Sequence, residues 1–193
     1  QQGSLAITDA KGLYFINADG ADKNKPTQIW TQGETEASSC WFPTIDSPNQ
    51  KTTQEIYITV PDKFKTLSNG KLINQTKSGT NRTDYWKLDQ KHAPYLFFMG
   101  IGEYEIIKDS YKNIPIDYYV EKEYAPYAKD IFGLTPEMMG FFSTLLGVDY
   151  PWNKYSQIVG RDYVSGAMEN TTAVIHGEKA YQKPGQLIDE NVQ

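Results

Sequence analysis

The front of the chain alternates apolar and polar residues with the period of a β-strand. In TTQEIYITVP (Thr52–Pro61), Ile56, Ile58 and Val60 point one way and Glu55, Tyr57 and Thr59 the other. Successive side chains of a strand leave opposite faces, so this pattern predicts a strand with one buried face. GLYFINADG (Gly12–Gly20) is a short apolar run closed by an Asp-Gly turn signal. Asn69-Gly70 separates two short runs in KFKTLSNGKLI, and that dipeptide accepts the positive φ of tight turns, so it predicts a hairpin. TDYWKLD, YLFFMGIGEYEII and IPIDYYVE (Ile114–Glu121) extend the sheet, with Gly100 and Gly102 marking a bulge or a close backbone approach.

The period changes near residue 121. Thr135-Pro136-Glu137 predicts a helix start, with Thr135 as N-cap, Pro136 in the first turn and a carboxylate at the positive end of the dipole. Met138, Met139, Phe141, Phe142, Leu145 and Leu146 follow at helical spacing and read as a core stripe, and Gly147 supplies the stop. An earlier helix is predicted from near Pro126 to Gly133. KYSQIVGRDY and TTAVIHGE return to strand, and GQLIDENVQ reads as the first turns of another helix. The chain thus divides into a β-rich unit, 1–120, and a mixed unit, 121–193, giving an α+β, β-rich fold class.

Composition narrows the chemistry. The 193 residues fit one large domain or two small ones and can bury a core. Fourteen Tyr, 10 Pro and 15 Gly favour strands and turns over a helical bundle. The net charge is −5 and Lys and Arg are scattered, which argues against a nucleic-acid surface. No apolar run reaches membrane-span length, and no secretory apolar core opens the chain. The first residue is Gln, which suggests a processed or excised chain. The Tyr-, Asn- and Thr-rich make-up leans towards a bacterial envelope or secreted protein, while the compartment and the oligomeric state stay open. Cys40, the single cysteine, cannot form an internal disulfide and reads as small core filler. Asn74, Asn81 and Asn170 each begin an Asn-x-Thr sequon, a pattern that arises often by chance.

His92 and His176 make no His-x-x-x-His pair, so no helix face presents two imidazoles to zinc. His92 reads as a surface loop residue and His176 as a structural strand end. No Gly-x-Ser-x-Gly elbow and no phosphate-binding glycine pattern occurs. Paired carboxylates remain. A lone Glu is most often a surface charge, but Glu169 in VSGAMENTTAVI follows Gly166 and precedes an apolar strand, and Glu34 in TQGETEASS is not on an obvious solvated face. Such carboxylates can receive a cationic group, each charge-assisted hydrogen bond contributing about 1.5–3 kcal/mol.

Gly166-Ala167-Met168-Glu169-Asn170 resembles the exopeptidase motif of the aminopeptidase N family of zinc metallopeptidases. Thr31, Gln32 and Glu34, followed by Phe42-Pro43, Asp46 and Pro48, resemble a segment of that family's N-terminal domain. HAPYLFFMGIGEYEII and IFGLTPEMMGFFSTLLGVDYPWNKYSQIVGRDY extend the resemblance collinearly from about residue 12 to 180. It implies part of a saddle-like β-sheet N-terminal domain followed by the start of a thermolysin-like catalytic domain. By the same resemblance, Glu169 and Glu34 would hold the α-ammonium of a peptide N-terminus. The backbone of Gly166, Ala167 and Met168 would run beside that substrate.

The departures matter too. The family's His-Glu-x-x-His segment does not occur in this sequence, nor do its general base and its oxyanion-steadying Tyr. The resemblance therefore implies zinc in a longer parent protein, none bound to this chain, no catalytic residue here and no hydrolysis by the chain alone. Thr171-Thr172 replaces the usual Trp-Gly, and SSCW stands where an Arg-rich stretch is common, which bears on substrate preference. Two rival readings are a stand-alone β-rich module binding peptides or sugars on its aromatic residues, and a metal-free scaffold member of the family.

Overall fold

The computed structural model describes residues 11–186. Among them the strands are β1 (Gly12–Ile16), β2 (Gln28–Gln32), β3 (Thr52–Pro61), β4 (Lys65–Ser68), β5 (Lys71–Ser78) and β6 (Asn81–His92). They continue as β7 (Met99–Gly102), β8 (Tyr104–Tyr111), β9 (Ile114–Glu121), β10 (Tyr155–Gly160), β11 (Ala167–Met168) and β12 (Ala173–Gly177). Two helices, α1 (Ala128–Phe132) and α2 (Thr135–Leu146), lie between β9 and β10. The fold is β-rich with open sheets, as the alternation requires.

Three sheets form, in the orders β1-β2-β7-β4, β3-β6-β5 and β11-β12-β10-β9-β8. In the third, β10 runs parallel to both β9 and β12, and α1 and α2 make the β9-to-β10 crossover that parallel strands need. This sheet takes β8 and β9 from before residue 121 and β10–β12 from after it. One apolar core joins the sheets: Trp30, Leu67, Trp86 and Phe98 pack with Ile158, Met168 and Ile175. A second, around Ile116, Tyr118, Val120, Ala128, Phe132 and Val159, seats α1 on the third sheet.

The alternation of β3 is realised, with Ile58 and Val60 buried and Glu55, Tyr57 and Thr59 exposed. Five local expectations are corrected. Asn69-Gly70 does not close a hairpin: β4 pairs with β7 and β5 with β6, so the dipeptide carries the chain from one sheet to another. The hairpin on β5 instead turns at Gly79 (φ 60°), between Ser78 and Asn81. Gly70 (φ 77°) lies so close to Lys87 that a Cβ would run into that residue's carbonyl. The turn chemistry was real; burial of Asn69 decided its use.

Thr135 is the first helical residue rather than the N-cap, which is Leu134. Its hydroxyl donates to the Phe132 carbonyl at 2.7 Å and accepts from Gln157 Nε2 at 2.8 Å, so it joins α1, α2 and β10. Gly147 ends α2 in the left-handed region at φ 66°. The apolar stripe of α2 is not core: Met139 is buried, whereas Phe141, Phe142, Leu145 and Leu146 are 52–69% exposed. Helical period fixes a face, not what covers it. His92 is buried and stacks on Phe97 at 4.3 Å, because β6 runs to its end inside the molecule. Cys40 is exposed, at the end of a short 3-10 turn, and fills no core. Of the predicted C-terminal helix, residues 187–193 lie outside the described residues, and Pro184–Gly185 form a turn.

Candidate functional site

The motif around Glu169 sits on a sheet edge. β11 pairs antiparallel with β12, Ala167 opposite His176 and Met168 opposite Ile175, and has no strand partner on its other side among the described residues. The Gly166 carbonyl accepts from Gly177 N at 2.8 Å. Met168 points inward, 1% exposed, while Gly166, Ala167 and Glu169 are exposed. Alternation thus anchors the strand through Met168 and turns Ala167 and Glu169 outward. The free edge offers backbone donors and acceptors to another extended chain.

Two threonines anchor the far end of the motif. Asn69 Nδ2 donates to the Thr171 carbonyl at 2.6 Å and to the Leu96 carbonyl at 2.8 Å, while its Oδ1 accepts from Phe98 N at 2.7 Å. Gly70 N donates to Thr172 Oγ1 at 2.7 Å. Thr172 stands at φ 65°, a conformation that favours glycine. Its hydroxyl gains a buried bond that glycine could not make. These residues were legible only as departures from a pattern; the packing shows that they tie the motif to the Asn69-Gly70 turn. Asn170 is buried, and neither atom of its amide has a partner among the described residues. Its sequon is therefore shielded in this fold, whereas Asn74 and Asn81 are exposed.

Glu34 is exposed and is separated from the end of β2 by Gly33; the Glu34–Thr35 peptide bond is cis. The segment before it is fixed tightly. Thr31 Oγ1 accepts from Met99 N at 2.9 Å, and Gly33 lies against the Tyr95 backbone with no room for a side chain. Ser38 Oγ donates to the Pro94 carbonyl at 2.8 Å.

Tyr163 connects the two segments. Its hydroxyl donates to Gln32 Oε1 at 2.5 Å, and its ring meets Trp30 edge-on at 5.1 Å, itself stacked on Tyr14 at 4.2 Å. Burial raises the pKa of this phenol above its ordinary value, and the charges of Glu34 and then Glu169 raise it further. One side chain therefore feels both carboxylates. Tyr163 and Gln32 were not singled out as site residues by sequence reasoning. The loop leaving β10 is held by a two-pronged pair, Arg161 Nε to Glu121 Oε1 at 2.7 Å and Nη2 to Oε2 at 2.8 Å.

Neither histidine is arranged for metal. Burial pushes His92 and His176 down to about 4 each, and His176 Nε2 lies 2.8 Å from Gln157 Oε1. Among the described residues no group of three His, Cys, Asp or Glu side chains could hold an ion.

Comparison with known proteins bears on the family of the chain. Residues 3–96 match the Peptidase M1 N-terminal domain. Glutamyl aminopeptidase of Bos taurus is 28% identical over 143 residues, 71% of this chain and 14% of its own length. Aminopeptidase M1 of Arabidopsis thaliana is 24% identical over 181 residues, 93% of this chain and 20% of its own length. Transcription initiation factor TFIID subunit 2 of Gallus gallus is 23% identical over 184 residues, 93% of this chain and 16% of its own length. The chain spans one-fifth or less of the length of these relatives. It belongs to the aminopeptidase N-like M1 peptidase family, whose N-terminal β domain it carries.

Proposed function

We propose that this chain is the substrate-amine-gripping part of a longer zinc-dependent aminopeptidase that removes N-terminal residues from peptides. Glu169 and Glu34 hold the α-ammonium, and the free edge of Gly166, Ala167 and Met168 runs beside the peptide backbone. Two converging carboxylates favour a cation and so select a free N-terminus over a blocked one. The observation that carries this reading is Tyr163, whose phenol feels both carboxylates while bonding to Gln32. Among the described residues no group of His, Cys, Asp and Glu side chains fits zinc, and in this reading other segments of the parent hold it. No step of bond cleavage is assigned to this chain, which alone hydrolyses nothing.

The test is an aminoacyl-anilide assay with added zinc, on the parent protein and on the 193-residue chain. In the parent, Glu169→Gln should cut kcat/KM by about tenfold or more, the loss of one charge-assisted bond. Turnover by the isolated chain that survives repurification and disappears in Glu169→Gln would contradict its assigned role. A second reading, a scaffold without hydrolysis, draws on the TFIID subunit 2 relative. A zinc-loaded parent with no anilide turnover would favour it.

A further inference from the structure

Away from the Glu169 edge, the three sheets converge on a concave cavity of about 570 Å³. Its walls take Lys65 from β4, Lys71 and Lys77 from β5, Arg82 from β6, Lys108 from β8 and Lys154 from the segment before β10. Six of the 19 Lys and Arg residues of a chain with net charge −5 thus face one space. Only two carboxylates line it, Asp62 and Asp117.

The two carboxylates are already engaged. Asp62 pairs with Lys77 at 2.7 Å and Arg82 at 2.9 Å, and Asp117 with Lys108 at 2.8 Å. Arg82 also grips buried Asp84 at 2.6 Å. Lys65 and Lys71 have no carboxylate partner among the described residues. Lys154 is buried, with Nζ donating to the Ser68 carbonyl at 2.7 Å and lying over the Trp86 ring at 4.8 Å. An ammonium carries three donors, so this bond does not exhaust it. Burial pushes its pKa down to about 7, the cost of a charge placed there without a full counterion.

We propose that this cavity is an anion site that takes a small, multiply charged phosphate group, with Lys65, Lys71 and Lys154 as its direct ligands. Concave walls of one charge sign focus the field on an anion. Compact ammonium groups arriving from separate strands suit an anion with several oxygens, and lysine serves phosphate as a point charge. A carboxylate, with one charge on two oxygens, would leave part of the set unmatched.

The experiment is calorimetric titration of the 193-residue chain with inorganic pyrophosphate at constant ionic strength, with Trp86 emission followed in parallel. Saturable one-to-one binding is expected. It should weaken about tenfold or more in Lys65→Ala/Lys71→Ala and be unchanged in Lys122→Ala/Lys179→Ala, an equal loss of charge elsewhere. Lys65 and Lys71 are half-buried and exposed, so the melting temperature without ligand should not move. Should the double variant misfold, Lys71→Gln alone carries the same comparison. A parallel arm with vesicles of phosphatidic acid in phosphatidylcholine separates a lipid headgroup from a soluble phosphate, since only the former sediments the wild-type chain and not the double variant. No saturable binding in either arm, or equal weakening in the control variant, overturns the proposal.

Discussion

Asn69 shows how much one side chain can decide. It satisfies three backbone groups from two segments, at Leu96 and Phe98 in one and Thr171 in the other. Asn69→Ala should therefore cost about 3 kcal/mol in denaturant unfolding, because buried partners are left unpaired, and it should loosen the loop after Glu169. Titration gives a second test at this scale. His92 and His176 have folded pKa values of about 4, below the ordinary 6.5. The unfolded chain then binds more protons between those values, so stability should fall as pH drops from 6.5 to 4. The loss is about 3 kcal/mol for each group once pH has passed both values. His92→Phe, which keeps the stack on Phe97, should flatten that slope. Lys154 acts at the other end: its folded pKa of about 7 lies below 10.5, so its contribution rises with pH between those values. Lys154→Met should remove that rise.

Among the elements, α2 exposes the surface of most consequence. Phe141, Phe142, Leu145 and Leu146 present an apolar face left exposed by the described residues, and such faces drive association. Phe141→Ser/Leu145→Gln should change stability by less than about 0.5 kcal/mol and reduce any concentration-dependent sedimentation of the chain. This helix also marks where sequence reasoning ended. Its length, its stop at Gly147 and its apolar face were legible from the 3.6-residue period. Its exposure was not, because period does not say what lies opposite. The strands fared likewise. β3, β6, β9, β10 and β12 followed from alternation and apolar runs, yet Asn69-Gly70 misled, because turn propensity is local whereas strand pairing is set by the core. Of the candidate site, the motif was legible as a match to a family pattern, but its anchoring through Met168 was not, because a two-residue strand shows no alternation. Nor was the role of Tyr163, since its link to Gln32 spans 131 positions.

For the whole molecule, the core that includes Trp30, Trp86, Ile158 and Ile175 joins residues from both ends of the chain. Unfolding should accordingly be one cooperative transition, with Trp emission and far-UV circular dichroism coincident. The same arrangement places the Tyr163 phenol where the charges of Glu34, after β2, and Glu169, after β11, both raise its pKa. The central claim is that these carboxylates grip a free amine. Its most direct measurement is the binding of leucine amide, against N-acetyl-leucine amide, to the 193-residue chain by chemical-shift titration. Shifts at Gly166–Glu169 and Glu34 with leucine amide alone, abolished in Glu169→Gln, are the predicted result. Equal shifts with the acetylated compound, or shifts indifferent to Glu169→Gln, would contradict the account.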